Sequence, residues 1–221
     1  DEAAVRAGVV NVVRWIQSCG FKDVVLEIAN EYPHSGFVHP AIRDAAGVAG
    51  LIRLARQTAP GLLVSASGYG DAKLDKDVAE ASDFLLIHFN GTPVNDIPAR
   101  IAALKKFGKP VVCNEDEKVG KEGAKACELC VTNGASWGFM HVEVNQHHPF
   151  TFQGAADDPE VYAEIQRMTS QGAASAISKG VPPTKDTGRM PVLRLLIETD
   201  AGGDPDDEQS LVRFLLYANE W

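Results

Sequence analysis

The chain has 221 residues, 45% hydrophobic and 23% charged, the balance of an ordinary globular protein with room for one full-sized core. Its formal net charge of -9 argues against nucleic acid or an anionic membrane as the main partner. No apolar run approaches the roughly 20 residues of a membrane span. The four cysteines are too few for a disulfide framework in a chain of this length. Cys127 and Cys130 form a CxxC inside a helical stretch, with no second Cys or His pair at zinc spacing. They read as buried helix-face thiols.

In chain order, Val5, Val9, Val12, Val13 and Ile16 predict a helix over Glu2 to Cys19, closed by Gly20. Val24 to Ala29 is a short apolar run that ends in Asn30-Glu31-Tyr32 and reads as a buried parallel strand. Pro40 to Thr58 reads as one helix, stopped by Pro60-Gly61. Leu62 to Ser67 is the next strand, Asp75 to Ala81 a short helix and Asp83 to Phe89 a third strand leaving through Asn90-Gly91. Ile97 to Phe107 is a helix closed by Gly108. Pro110 to Asn114 is a fourth strand with Glu115 at its exit, 84 residues after Glu31. Gly123 to Asn133, Ala135 to Val142 and Pro159 to Ser170 read as helix, strand and helix. This alternation is the βαβ rhythm of a parallel sheet with helices outside it. A doubly wound sheet and a barrel both satisfy it. The glycine-rich phosphate loops GxGxxG and GxxxxGK[ST] are absent, so the nucleotide-binding versions lose support.

Residues 178–191, SKGVPPTKDTGRMP, are rich in Pro and Gly and read as a linker. A strand, Val192 to Thr199, an acidic turn, Asp200 to Asp207, and a helix from about Glu208 follow it. A single strand and helix bury no core alone, so residues 192–221 read as the start of a further α/β domain.

Asn30-Glu31 and Glu115 at strand ends carry a resemblance. Residues 1–177 resemble the second half of a (β/α)8 glycoside hydrolase of the large retaining, cellulase-like clan, with VVLEIANEY as its fourth strand and ASWGFMHV as its eighth. The expected fold is therefore α/β, a partial (β/α)8 (TIM) barrel of about strands 4–8, whose site lies at the carboxyl ends of the strands. The resemblance implies Glu31 as acid/base, Glu115 as nucleophile and Asn30 at the sugar's 2-hydroxyl. Paired carboxylates suit this chemistry because one must be protonated and the other ionised. Glu117 is a rival nucleophile, with Asp116 between the two. Tyr32, His88, Asn114, Trp137 and Glu143 are further candidates for sugar contact. His88 also reads as a satisfied core histidine, and Trp137 as a core aromatic. The partner class implied is an oligo- or polysaccharide, and no organic cofactor is needed. The resemblance favours a secreted or periplasmic parent. Holding about five strands of eight, this chain alone is expected to be poorly active and prone to associate.

The segment LRLLIETDAGGDPDDEQSLVRFLLYANEW resembles the opening of a nucleoside-hydrolase-like domain of sugar-binding or cellulose-binding proteins. In that family an Asp-rich turn holds Ca²⁺ and ribose hydroxyls. The matching positions are Asp200, Asp206 and Asp207, a set of hard oxygen ligands suited to calcium. The turn departs from DxDxGxDD: Glu198 stands for the first Asp, and Gly-Asp-Pro is inserted. It also reads as an acidic cap on a helix N-terminus. Three functions therefore stand as expectations: retaining β-glycoside hydrolysis, carbohydrate binding without catalysis, and nucleoside or ribosyl hydrolysis by the complete C-terminal domain.

Overall fold

The computed structural model describes residues 1–21, 24–146, 151 and 153–178, the side chains of residues 145–146 and 171–178 excepted. The expected linker beyond Ser178, the strand Val192 to Thr199 and the acidic turn with Asp200, Asp206 and Asp207 lie outside the described residues, as do His147 and His148.

Helix α1 (Glu2–Ser18) starts where the Asp1 carboxylate accepts the Ala3 N–H at 2.9 Å, and it buries Val13 and Ile16. Strand β1 (Val25–Glu27) follows. The helix expected over Pro40 to Thr58 is two: α2 (Pro40–Arg43) and α3 (Ala45–Thr58). They part at Asp44, which is extended (φ -89°, ψ 140°) and stands at the N-cap of α3, a position Asp favours. Then come β2 (Leu63–Ser65), α4 (Lys76–Ala81), β3 (Leu85–His88), α5 (Ile97–Leu104), β4 (Val111–Glu115), α6 (Gly120–Thr132), β5 (Ala135–Ser136) and α7 (Pro159–Ser178).

The last strand and the last helix differ most from the sequence reading. The strand expected over Ala135 to Val142 keeps its ladder for only two residues, and Val142–Gln146 forms a π-helical turn. Helix α7 runs eight residues past the expected Ser170.

The five strands among the described residues are all parallel. Val25 to Glu27 pair with Leu63 to Ser65, Leu85 to His88 pair with β4, and Val111 and Val112 pair with Ala135 and Ser136. A single bridge, Ser67 with Leu86, joins the two groups, so each strand neighbours the next in chain order. Between β2 and β3, Asp83 takes a ladder position. Its N–H donates to the Val64 carbonyl at 2.9 Å, and its carboxylate accepts the Val64 N–H at 3.0 Å. The fold is thus α/β with helices packed on a parallel sheet, and two apolar clusters hold it. One joins β1 and β2 to α1, α3 and α4 through Val13, Val48, Ile52, Val64 and Val78. The other joins β3, β4 and β5 to α5 and α6 through Leu85, Ile87, Ile101, Val111 and Cys130. No helix among the described residues is long and apolar enough to cross a membrane.

Cys113, Cys127 and Cys130 are buried and Cys19 is exposed. Burial pushes the three inner thiols up, Cys127 to about 11. Thiolate is the reactive form, so brief iodoacetamide treatment at mildly alkaline pH is expected to alkylate Cys19 alone. Mass spectrometry of the native protein checks this. A second modified cysteine would mean that α6 or β4 opens more easily than its packing implies.

Candidate active site

The exits of β1, β3 and β4 converge on one cluster. Glu31 lies in the turn after β1 in the left-handed region, φ 48°, a conformation that a non-glycine side chain holds at a cost of about 1–3 kcal/mol. Surrounding bonds fix it there. The Glu31 N–H donates to the Ser67 hydroxyl at 2.9 Å, and that hydroxyl donates to Asn30 Oδ1 at 3.1 Å. The Tyr32 N–H donates to the Ser67 carbonyl at 3.1 Å, and the His34 N–H to the Glu31 carbonyl at 2.7 Å. Tyr32 is 2% exposed and its hydroxyl donates to Asp75 Oδ2 at 2.7 Å. Burial, with Asp75 beside it, pushes the phenol up from its ordinary value, which keeps it a donor. It therefore anchors the turn from inside, and the sugar contact expected of it has no exposed ring to use.

His88, the last residue of β3, is fully buried, and its Nδ1 lies 3.1 Å from Glu31 Oε1 and 3.8 Å from Glu115 Oε1. One atom from each of these three side chains falls within 4.8 Å of the others. The Glu31 and Glu115 side chains keep 26% and 20% exposure, so solvent reaches both carboxylates while the imidazole lies beneath them. Two carboxylates and an imidazole also suit a divalent cation in donor type, although exposed acidic groups are common without one.

A bulge brings Glu115 to this face. Strand alternation directs Val111 and Cys113 to the apolar cluster under α5 and α6, and it would send Glu115 the same way. The register instead runs from Ile87↔Cys113 to His88↔Glu115, so Asn114 is the extra residue and Glu115 comes opposite His88. The backbone of Asn114 rises against Gly138, where a Cβ would meet the Asn114 carbonyl oxygen at 2.4 Å. Gly138→Ala is therefore expected to cost about 1–3 kcal/mol by overpacking and to disturb the bulge. A thermal melt that matches the unsubstituted protein would show that the two backbones can part freely.

Asn90, in the exit turn of β3, donates from Nδ2 to Glu115 Oε1 and accepts the Glu117 N–H at 3.1 Å. Glu117 is exposed, and Glu115 is the strand-end acid that lies with Glu31 and His88. Asp116 is fully buried. Its Oδ1 accepts from Lys118 Nζ and its Oδ2 from Trp137 Nε1, both at 2.8 Å, and Lys118 Nζ also donates to the Phe89 carbonyl at 2.6 Å. Trp137 stacks on Phe139 with centroids 5.7 Å apart and packs against the apolar cluster. It braces the floor behind Glu115. Glu143 is exposed in the π-helical turn, and among the described residues no hydrogen bond or ion pair ties it to the carboxylate pair.

Of the residues singled out from sequence, Glu31, Glu115 and His88 come together, with Asn30 and Asn114 in their backbone supports. Sequence reasoning did not single out Asn90, Ser67, Asp75 or Lys118. Asn90 and Ser67 carried one signal, a polar residue at the carboxyl end of a parallel strand. The Tyr32–Asp75 and Asp116–Lys118 pairs carried none.

The family model described as "Cellulose-binding Sde182, nucleoside hydrolase-like domain" matches residues 194–221. This agrees with the likeness read from that segment, and it covers none of the strands around Glu31 and Glu115. No curated protein and no solved structure matches the chain.

Proposed function

We propose that this chain supplies the catalytic strands of a retaining β-glycoside hydrolase, as the latter half of a (β/α)8 barrel. One observation carries the reading: carboxylate oxygens of Glu31 and Glu115 lie within 4.8 Å of each other at the strand exits. Retaining enzymes hold their carboxyl groups about 5–5.5 Å apart, and inverting ones about 6.5–9.5 Å to admit a water. Five parallel strands that neighbour one another in chain order support the barrel.

In this reading Glu115 attacks the anomeric carbon while Glu31 gives its proton to the departing oxygen. The glycosyl ester on Glu115 is then hydrolysed by a water that Glu31 deprotonates, and the two inversions leave the starting configuration. His88 keeps Glu31 aimed across the gap, and Asn30 stands beside it for the 2-hydroxyl. The substrate class is a β-linked oligo- or polysaccharide.

The test uses 2-deoxy-2-fluorocellobiosyl fluoride on the intact protein that carries this chain. The slow second step is expected to leave a covalent adduct on the peptide containing Glu115, and proton NMR of early products from an aryl β-cellobioside to show the β-anomer. An adduct on Glu117, or an α-anomer as first product, would sink the assignment.

Carbohydrate binding without cleavage is the second reading, and the match of residues 194–221 to a family described as cellulose-binding favours it. Retention on cellulose with no turnover of any β-glycoside would decide for it.

A further inference from the structure

We infer that Asn90 is the positioning residue that presents the Glu115 carboxylate for attack; this rests on the hydrolase reading. Both ends of its amide are engaged, Nδ2 on Glu115 Oε1 and Oδ1 on the backbone N–H of Glu117, so one side chain ties the Glu115 carboxylate to the main chain two residues on. The turn beneath it is fastened on its far side. The Gly91 N–H and the Thr92 hydroxyl both donate to the Gly70 carbonyl, at 3.0 and 2.9 Å, and the Thr92 N–H donates to the Phe89 carbonyl at 2.8 Å. Gly70 lies so near that a Cβ there would stand 3.0 Å from Asn90 Cβ and 2.9 Å from the Gly91 nitrogen. The amide thus stands on a rigid base, as a group that positions another must.

Its chemistry fits the task. A neutral N–H donor steadies a carboxylate's charge without the ion pairing that would blunt a nucleophile. It engages one oxygen and leaves the other for the anomeric carbon. Aspartate at this place would reverse the effect by setting like charge against Glu115 and favouring its protonated form.

The experiment compares Asn90→Ala and Asn90→Asp with the unsubstituted protein, using 2,4-dinitrophenyl β-cellobioside across the acid and neutral range. Asn90→Ala is expected to lower kcat roughly ten- to hundredfold, the worth of one hydrogen bond to a charged group, with KM little changed. Asn90→Asp is expected to move the acid limb of the kcat/KM profile to higher pH, which a merely structural substitution would not do. A crystal structure of Asn90→Ala is expected to show the Glu115 side chain turned from His88, and this holds whether or not hydrolysis is detected. Unchanged kcat and pH profile in both variants, or Glu115 unmoved in that crystal, overturns the inference. Full activity in Glu115→Gln would instead remove the hydrolase reading beneath it.

Discussion

In the proposed hydrolase, Glu31→Gln is expected to slow hydrolysis of an alkyl β-cellobioside about 10²–10⁴-fold, the range that a positioned proton donor supplies. The amide preserves the side chain's size and its contact with His88, so the loss isolates the proton. A 2,4-dinitrophenyl leaving group needs no proton, and formation of the glycosyl ester from it should hardly change. Breakdown of the ester then limits the rate, because no base remains to activate water, and a burst of dinitrophenol is expected. Added azide should relieve Glu31→Ala, entering where the carboxylate stood and giving a β-glycosyl azide. Equal losses with the alkyl and dinitrophenyl substrates would remove Glu31 from the acid/base role.

Asp116→Ala is expected to be the most destabilising change near the site, by about 3–5 kcal/mol. Asp116 is fully buried and Lys118 is 9% exposed, so the substitution leaves a largely buried ammonium group without its counter-charge and, among the described residues, with only the Phe89 carbonyl to accept from it. Trp137 loses the acceptor for its indole N–H in the same step. In the intact protein this corresponds to a fall in Tm of about 10 °C. The interaction is one of compensation rather than profit, since apolar replacements of both partners often restore stability. Asp116→Leu with Lys118→Met should therefore recover most of the loss. A double variant no more stable than Asp116→Ala would show that the Trp137 contact carries the effect.

The strands were legible because each is a short apolar run between loop signals: Val24 to Ala29, Leu62 to Ser67, Asp83 to Phe89 and Pro110 to Asn114 each contain the observed strand or nearly so. Local pattern failed where tertiary contact decides. Asp44 divides one apolar stripe into two helices, and the Ala135 ladder ends after two residues because Gly138 is drawn against Asn114. Asn-Glu at the end of one strand and a second Glu at the end of another marked the candidate carboxylates. What could not be read was how Glu115 reaches Glu31. Alternation alone points it at the apolar layer, and the extra residue that corrects this is invisible as a pattern. Asn90 and Ser67 were hidden for a like reason, since their partners lie 25 and 36 residues away in the chain.

The left-handed backbone at Glu31 sets the needs of the fold against those of the chemistry. Glycine or asparagine would adopt φ 48° at lower cost than glutamate. A variant library screened for heat tolerance alone should therefore drift at this one position toward Gly or Asn, yielding sturdier proteins without the carboxylate that the proposed hydrolysis needs.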